Sequence, residues 1–179
     1  MPEISEIHLI EAAIGGDIES FGELCRRYYA AMVAVAYAVL SDHQLAEDAA
    51  QESFARALVN LKNLKNSARF VQWLAAICRN VAKDMVTAKA RHISTEDFSQ
   101  VARENNSDDE NSRAILRAIE QLPAPARELI VLRYYNNLSY EQIGSILGIS
   151  RATINGRILR AKRKMANYLR RNGFPENQL

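Results

Sequence analysis

Between Glu141 and Glu176 the chain has no acidic side chain and eight basic ones: Arg151, Arg157, Arg160, Lys162, Arg163, Lys164, Arg170 and Arg171. A run of one sign repels itself unless something anionic lies against it, and a nucleic-acid backbone is the obvious candidate. Within the run, Arg151 and Asn155 carry the groups that match guanine and adenine edges in the major groove. Arg157, Arg160 and Lys162 suit phosphates, which set register. Catalytic constellations are missing by comparison. His8, His43 and His92 have no carboxylate or cysteine at a convincing spacing, and no glycine-rich phosphate loop occurs. Cys25 and Cys78 stand singly, without the spacing of a zinc site. No enzyme activity, cofactor or metal is therefore expected. Two unpaired thiols suit a reducing cytoplasm.

The cations need a scaffold to present them. In "LSYEQIGSILGISRATINGRILRAKRK", Ser139 and Gln142 have the spacing of a capping box, so a short helix begins there. Ile143, Ile146 and Leu147 give it one apolar face. Gly148 stops it, because glycine tolerates the left-handed backbone that follows a helix. Ser150 caps a second helix, whose inward stripe is Ile154, Ile158, Ala161 and Met165. Gly144 supplies a small residue where the two helices cross. This pattern predicts a helix-turn-helix. A step of 100° per residue then turns Ala152, Gly156, Leu159, Arg160 and Arg163 roughly outward, flanked by Arg151 and Asn155.

The rest of the chain is also helical by its periodicity, with apolar residues recurring at spacings of three and four. Phe21, Leu24, Tyr28, Met32, Val35 and Val39 form one stripe. Ala50, Phe54, Ala57 and Leu61 form a second, and Phe70, Trp73, Ile77, Val81 and Met85 a third, with Trp73 expected in the core. Ser20 and Glu23 have capping-box spacing, which predicts a helix from about Phe21. Another is expected from about Leu45 to Leu61, and a further one around Ala126–Tyr135. The polar stretch 62–69 reads as a loop. The fold expected is all-α.

Charge divides the chain. Residues 1–92 hold 10 basic and 11 acidic side chains, residues 93–111 hold 1 and 6, and residues 112–179 hold 12 and 4. Two helical domains, 1–92 and 112–173, joined by a flexible acidic linker over 93–111 and followed by a short tail over 174–179, fit both the length and this asymmetry. The longest apolar stretch, "AAMVAVAYAVL", is about half of the ~20 residues a membrane span needs. The first residues lack the pattern of a secretory signal.

The stretch "LPAPARELIVLRYYNNLSYEQIGSILGISRATINGRILRAKRKM" resembles domain 4 of bacterial RNA polymerase sigma factors, and "SDHQLAEDAAQESFARAL…FVQWLAAICRNVAKD" resembles domain 2. A two-domain chain of this kind is similar to the extracytoplasmic-function (ECF) group. The resemblance implies binding to core RNA polymerase, through the clamp coiled coil of its largest subunit and the flap of the second-largest. It also implies promoter DNA as a partner, and an anti-sigma factor as regulator. By the same resemblance, Asp48, Gln51, Glu52, Phe54 and Arg56 would meet the polymerase. Lys62, Asn63, Lys65, Asn66, Ser67 and Arg69 would surround a flipped base of the −10 element, with Arg79, Asn80 and Lys83 on −10 phosphates. Ser150, Arg151, Ala152, Thr153, Asn155, Gly156, Arg157, Arg160 and Lys162 would meet the −35 element. Two departures stand out: Val86-Thr87-Ala88 replace a tight arginine pair, and Asn155-Gly156 stand where the family often has lysine-serine. The alternative reading is a helix-turn-helix regulator that acts without polymerase.

Overall fold

The computed structural model describes residues 5–93 and 110–174. Among them are eight α-helices and no strand: α1 (Glu6–Ile14), α2 (Ile18–Leu40), α3 (His43–Asn60), α4 (Phe70–Ile93), α5 (Glu110–Glu120), α6 (Ala124–Ile130), α7 (Tyr140–Leu147) and α8 (Arg151–Arg171). Helix α4 runs through Ile93 and α5 begins at Glu110, so both ends of the span expected as linker are helical. The remainder of that span, 94–109, and the tail beyond Phe174 lie outside the described residues.

In the N-terminal half α2, α3 and α4 pack on one another, and α1 closes the end of the bundle against α2. Much of the buried surface is alanine: Ala31, Ala34, Ala36 and Ala38 on α2, and Ala46, Ala49, Ala50 and Ala57 on α3. Side chains this small let helix axes approach closely. Leu24, Met32, Val35, Phe70 and Leu74 fill the remaining space and are fully buried. Trp73 is half-buried in this core, its ring centroid 6.2 Å from that of Phe70.

Local chemistry moves one expected boundary. Helix α2 begins at Ile18, capped by Asp17, whose carboxylate accepts the Glu19 N–H at 3.1 Å. Ser20 is not the cap; its hydroxyl donates to Asp17 at 2.5 Å. Glu23 pairs instead with Arg26 and Arg27. An ionised carboxylate is the stronger acceptor for helix N–H groups, so it takes the cap one turn earlier. Asp42 caps α3 in the same way, accepting from the Leu45 N–H at 3.1 Å.

In the C-terminal half α8 is the long helix, with α5, α6 and α7 packed against it. Pro125 lies in the first turn of α6, where no intrahelical N–H is required. The helix expected over Ala126–Tyr135 starts at Ala124 and widens into a π-turn over Val131–Tyr135, closed by the Asn136 N–H donating to the Val131 carbonyl at 3.2 Å.

The two halves touch. Helix α6 and the π-turn pack on α2, and α7 packs on α4. A single apolar cluster runs without a break from Leu9 to Ala161 and includes residues of both halves.

Candidate nucleic-acid interface

The helix-turn-helix forms as its sequence requires. Ser139 Oγ accepts the Gln142 N–H at 3.2 Å, and Gln142 Oε1 accepts the Ser139 N–H at 2.8 Å. Gly148 has φ +67°, in the left-handed region. Ser150 Oγ accepts the Thr153 N–H at 3.2 Å and starts α8. Gly144 marks the helix crossing: a Cβ there would lie 3.1 Å from the Ile149 carbonyl oxygen and 3.8 Å from Ile154 Cδ1. Ile154, Ile158 and Ala161 are buried as expected.

The exposed surface of α8 carries two cationic edges. Arg151, Asn155 and Lys162 share one flank of the helix; Arg157, Arg160 and Lys164 share the other. Ala152, Gly156, Leu159 and, nearer the far end, the exposed Arg163 lie between, and nothing comes within 4 Å of a Cβ built on Gly156. The second flank borders a groove with an apolar floor of Leu122, Pro123, Pro125 and Ala126, onto which Arg157, Arg160 and Lys164 open. Ser150 and Thr153 are engaged with each other at the cap, hydroxyl to hydroxyl at 2.9 Å.

Side chains that sequence reasoning passed over complete this surface. Two guanidiniums approach the Tyr140 ring, Arg133 at 5.3 Å and Arg151 at 5.7 Å from its centroid. Tyr140, Arg151, Ala152 and Asn155 line one shallow hollow. Arg151 Nη1 also donates to Glu141 Oε1 at 3.2 Å. The Glu141 carboxyl is held below its ordinary range, first by its own backbone N–H, then by the Ser139 hydroxyl, and less by Arg151. Lys162 lies 5.6 Å from the centre of the Tyr134 ring. The available signal was an aromatic residue directly after the Ser139 cap and another at the end of the preceding helix.

The N-terminal half divides differently. Asp48, Gln51, Glu52 and Arg56 are exposed on one face of α3, but Phe54 is not among them. It is 7% exposed, within the buried face of Ala46, Ala49, Ala50, Ser53 and Ala57. A docking role for Phe54 is therefore corrected to a core role, which its place on the apolar stripe already required. Arg56 bridges two helices, meeting Glu52 at 2.7 Å and Asp84 of α4 at 3.4 Å.

The loop between α3 and α4 is more built than its composition suggested. It contains two 3₁₀ turns, Leu61–Asn63 and Ser67–Arg69. Buried Leu61 and half-buried Leu64 pin it to the core. Asn66 Oδ1 is occupied as a cap, accepting the Ala68 N–H at 3.0 Å, and Asn63 Nδ2 reaches Asn60 Oδ1 at 3.4 Å. Lys62, Lys65 and Arg69 are exposed, and Ser67 is half-buried.

On α4, Asn80 and Lys83 face solvent. Arg79 is already engaged: its Nε and Nη2 both lie 3.0 Å from Glu128 Oε1 on α6. Burial pushes the Glu128 carboxyl up from its ordinary range, against the pull of the Arg79 guanidinium. In this arrangement Arg79 is held by an internal carboxylate, not offered to a phosphate.

Known proteins share these two halves. The family model described as Sigma-70 region 2 matches residues 24–92, and that described as Sigma-70, region 4 matches residues 112–165. A probable RNA polymerase sigma factor, RfaY, of Xanthomonas campestris pv. campestris is 31% identical, the match covering 90% of this chain and 43% of that protein. The ECF RNA polymerase sigma factor SigW of Bacillus subtilis is 31% identical over 87% of this chain and 91% of its own length. This chain thus spans less than half of the Xanthomonas protein and nearly all of the Bacillus one. The fold is that of the sigma factor RpoE of Bartonella quintana, solved with the anti-sigma factor NepR: TM-score 0.56, 24% identity, 86% of this chain and 98% of that one. The order of the two regions, and their match over most of the length of a curated ECF protein, place this chain in the ECF group of the sigma-70 family of RNA polymerase sigma factors.

Proposed function

We propose that this protein joins core RNA polymerase and directs promoter-specific initiation, its region 2 half reading the −10 element and its region 4 half the −35 element. The observation that carries the reading is the exposed, single-signed surface of α8, presented by a fully capped helix-turn-helix. Arg151 and Asn155 read bases from one flank. Arg157 and Arg160 on the other flank, and Lys162 beside Asn155, take phosphates. A helix laid in the major groove has a phosphate chain on each side, and two cationic edges fit that geometry. The exposed Asp48, Gln51, Glu52 and Arg56 form the polymerase-facing surface, which needs no apolar anchor from Phe54. Lys62, Lys65, Arg69, Asn80 and Lys83 serve the −10 strand. The protein works in the cytoplasm as a non-catalytic initiation factor, and an anti-sigma factor is its natural regulator.

The test is transcription by core polymerase on a genomic promoter library. Added protein should create new start sites and co-purify with core enzyme. Tight binding to a specific duplex without polymerase would favour a free-standing regulator instead. Arg151→Ala should weaken −35-dependent initiation by about 1–3 kcal/mol and relax the base preference at one position. Equal loss on every sequence would make Arg151 a phosphate contact.

A further inference from the structure

Arg151 is the first residue of α8, and an exposed arginine has much rotamer freedom to lose before it can read a base. Here the first turn of α7 already restrains it. Glu141 Oε1 accepts from Arg151 Nη1 at 3.2 Å, and the centre of the Tyr140 ring lies 5.7 Å from the guanidinium carbon. The restraining groups are themselves held. The capping box of Ser139 and Gln142 fixes the turn that carries them. Tyr140 is half-buried and packs against the core. Arg133 approaches the same ring at 5.3 Å, and its Nη1 donates to the Leu138 carbonyl at 2.8 Å.

Glu141 is an odd residue for this surface. Its side chain is 69% exposed and meets an arginine that lines the hollow of Tyr140, Ala152 and Asn155. A bare carboxylate there would be repelled by DNA phosphates. Its use follows from the shape of the guanidinium, a planar fork with donors on more than one edge. A carboxylate on Nη1 leaves the edge formed by Nε and Nη2, whose parallel N–H groups match guanine O6 and N7. In water the pair is weak, because both side chains are exposed. It strengthens when DNA displaces the water around it. An Arg151 that swung away to a phosphate would leave Glu141 unpaired against the duplex, so the acid disfavours that use.

We propose that Glu141 and Tyr140 are positioning residues that aim Arg151 at a base edge, so that −35 preference is set by α7 as well as by α8. The inference rests on the initiation reading above for its setting, and on the contacts of Arg151 for its content.

Holoenzyme assembled from core polymerase and the full chain tests it, by selecting initiating promoters from a library randomised across the −35 element. Arg151→Ala defines the position that Arg151 reads. Glu141→Gln should lower the preference at that same position at least threefold. Initiation from promoters with a disfavoured base there should hold or rise, since a negative charge near the phosphates is gone. Glu141→Asp, which keeps the charge, should retain more of the preference than Glu141→Gln. Tyr140→Phe, which keeps the ring, should retain more than Tyr140→Leu. In an Arg151→Ala background, Glu141→Gln should change no preference. A uniform fall on every promoter, or an unaltered preference in Glu141→Gln while wild type initiates normally, overturns the positioning role alone. A change of preference that survives in the Arg151→Ala background also overturns it, because Glu141 then reads a base itself. If wild-type holoenzyme makes no new start sites, the initiation reading falls, and the positioning role falls with it.

Discussion

The two halves treat their cations in opposite ways. On α8 of the region 4 half, Arg151, Arg157, Arg160 and Lys162 are all exposed, and the salt bridge of Arg151 to Glu141 lies in water with side chains 75% and 69% exposed. On α4 of the region 2 half, Arg79 is drawn into a buried pair with Glu128. A surface pair gives way readily when a phosphate arrives, since water already screens it. A buried pair ties its arginine to the fold. One half keeps its cations in water, and the other commits Arg79 to an internal contact.

If both halves share one continuous core, damage to either should spread. Leu24 and Ile154 are each fully buried, one in each half. Leu24→Ala and Ile154→Ala should each cost about 2–5 kcal/mol. Both should lower a single unfolding transition followed by calorimetry. Two transitions in wild type, each moved by only one of the variants, would mean that the halves fold independently and that their contact is weak.

The arginines give the next contrast. Arg79→Ala leaves Glu128 without its counter-ion, and breaking a buried pair costs about 3 kcal/mol. The loss cannot exceed the free energy of docking, because opening returns Glu128 to water. Arg151→Ala should leave chemical denaturation unchanged within error, since it removes an exposed contact. Equal losses from the two variants would erase the distinction between the halves.

The region 4 half was readable from sequence because its determinants are local. Ser139 and Gln142, Gly148, Ser150 and the Ile154–Ile158 stripe all act over a few residues, and each does in the structure what its type and spacing require. The caps at α2 were harder. Asp17 and Ser20 are both capping residues one turn apart, and sequence alone does not say which will serve the other. Phe54 teaches a different lesson. Its place in the stripe of Ala50, Ala57 and Leu61 already implied burial, and that periodicity is better founded than a surface role carried over from similar proteins. The Arg79–Glu128 pair had no local signal at all. Its partners are 49 residues apart, and only the docking of two helical units brings them together.

Two glycines of the helix-turn-helix sharpen the comparison at the smallest scale. Gly148 has φ +67° and lies against Gln72 of α4. Gly148→Ala should cost about 1–2 kcal/mol for the left-handed backbone and should also push Gln72 aside, loosening the contact between the halves. Gly156 has helical geometry and open space around it. Alanine there should stabilise the protein by about 1 kcal/mol, the helix-interior penalty of glycine. It should not strengthen −35 binding, because the added methyl occupies the strip between the two cationic edges, where a bare backbone lets α8 approach the bases. Thermal denaturation paired with −35 duplex titration of the holoenzyme separates the two effects. If Gly156→Ala raises both stability and affinity, the glycine is incidental and close approach of the backbone is not how this helix reads DNA.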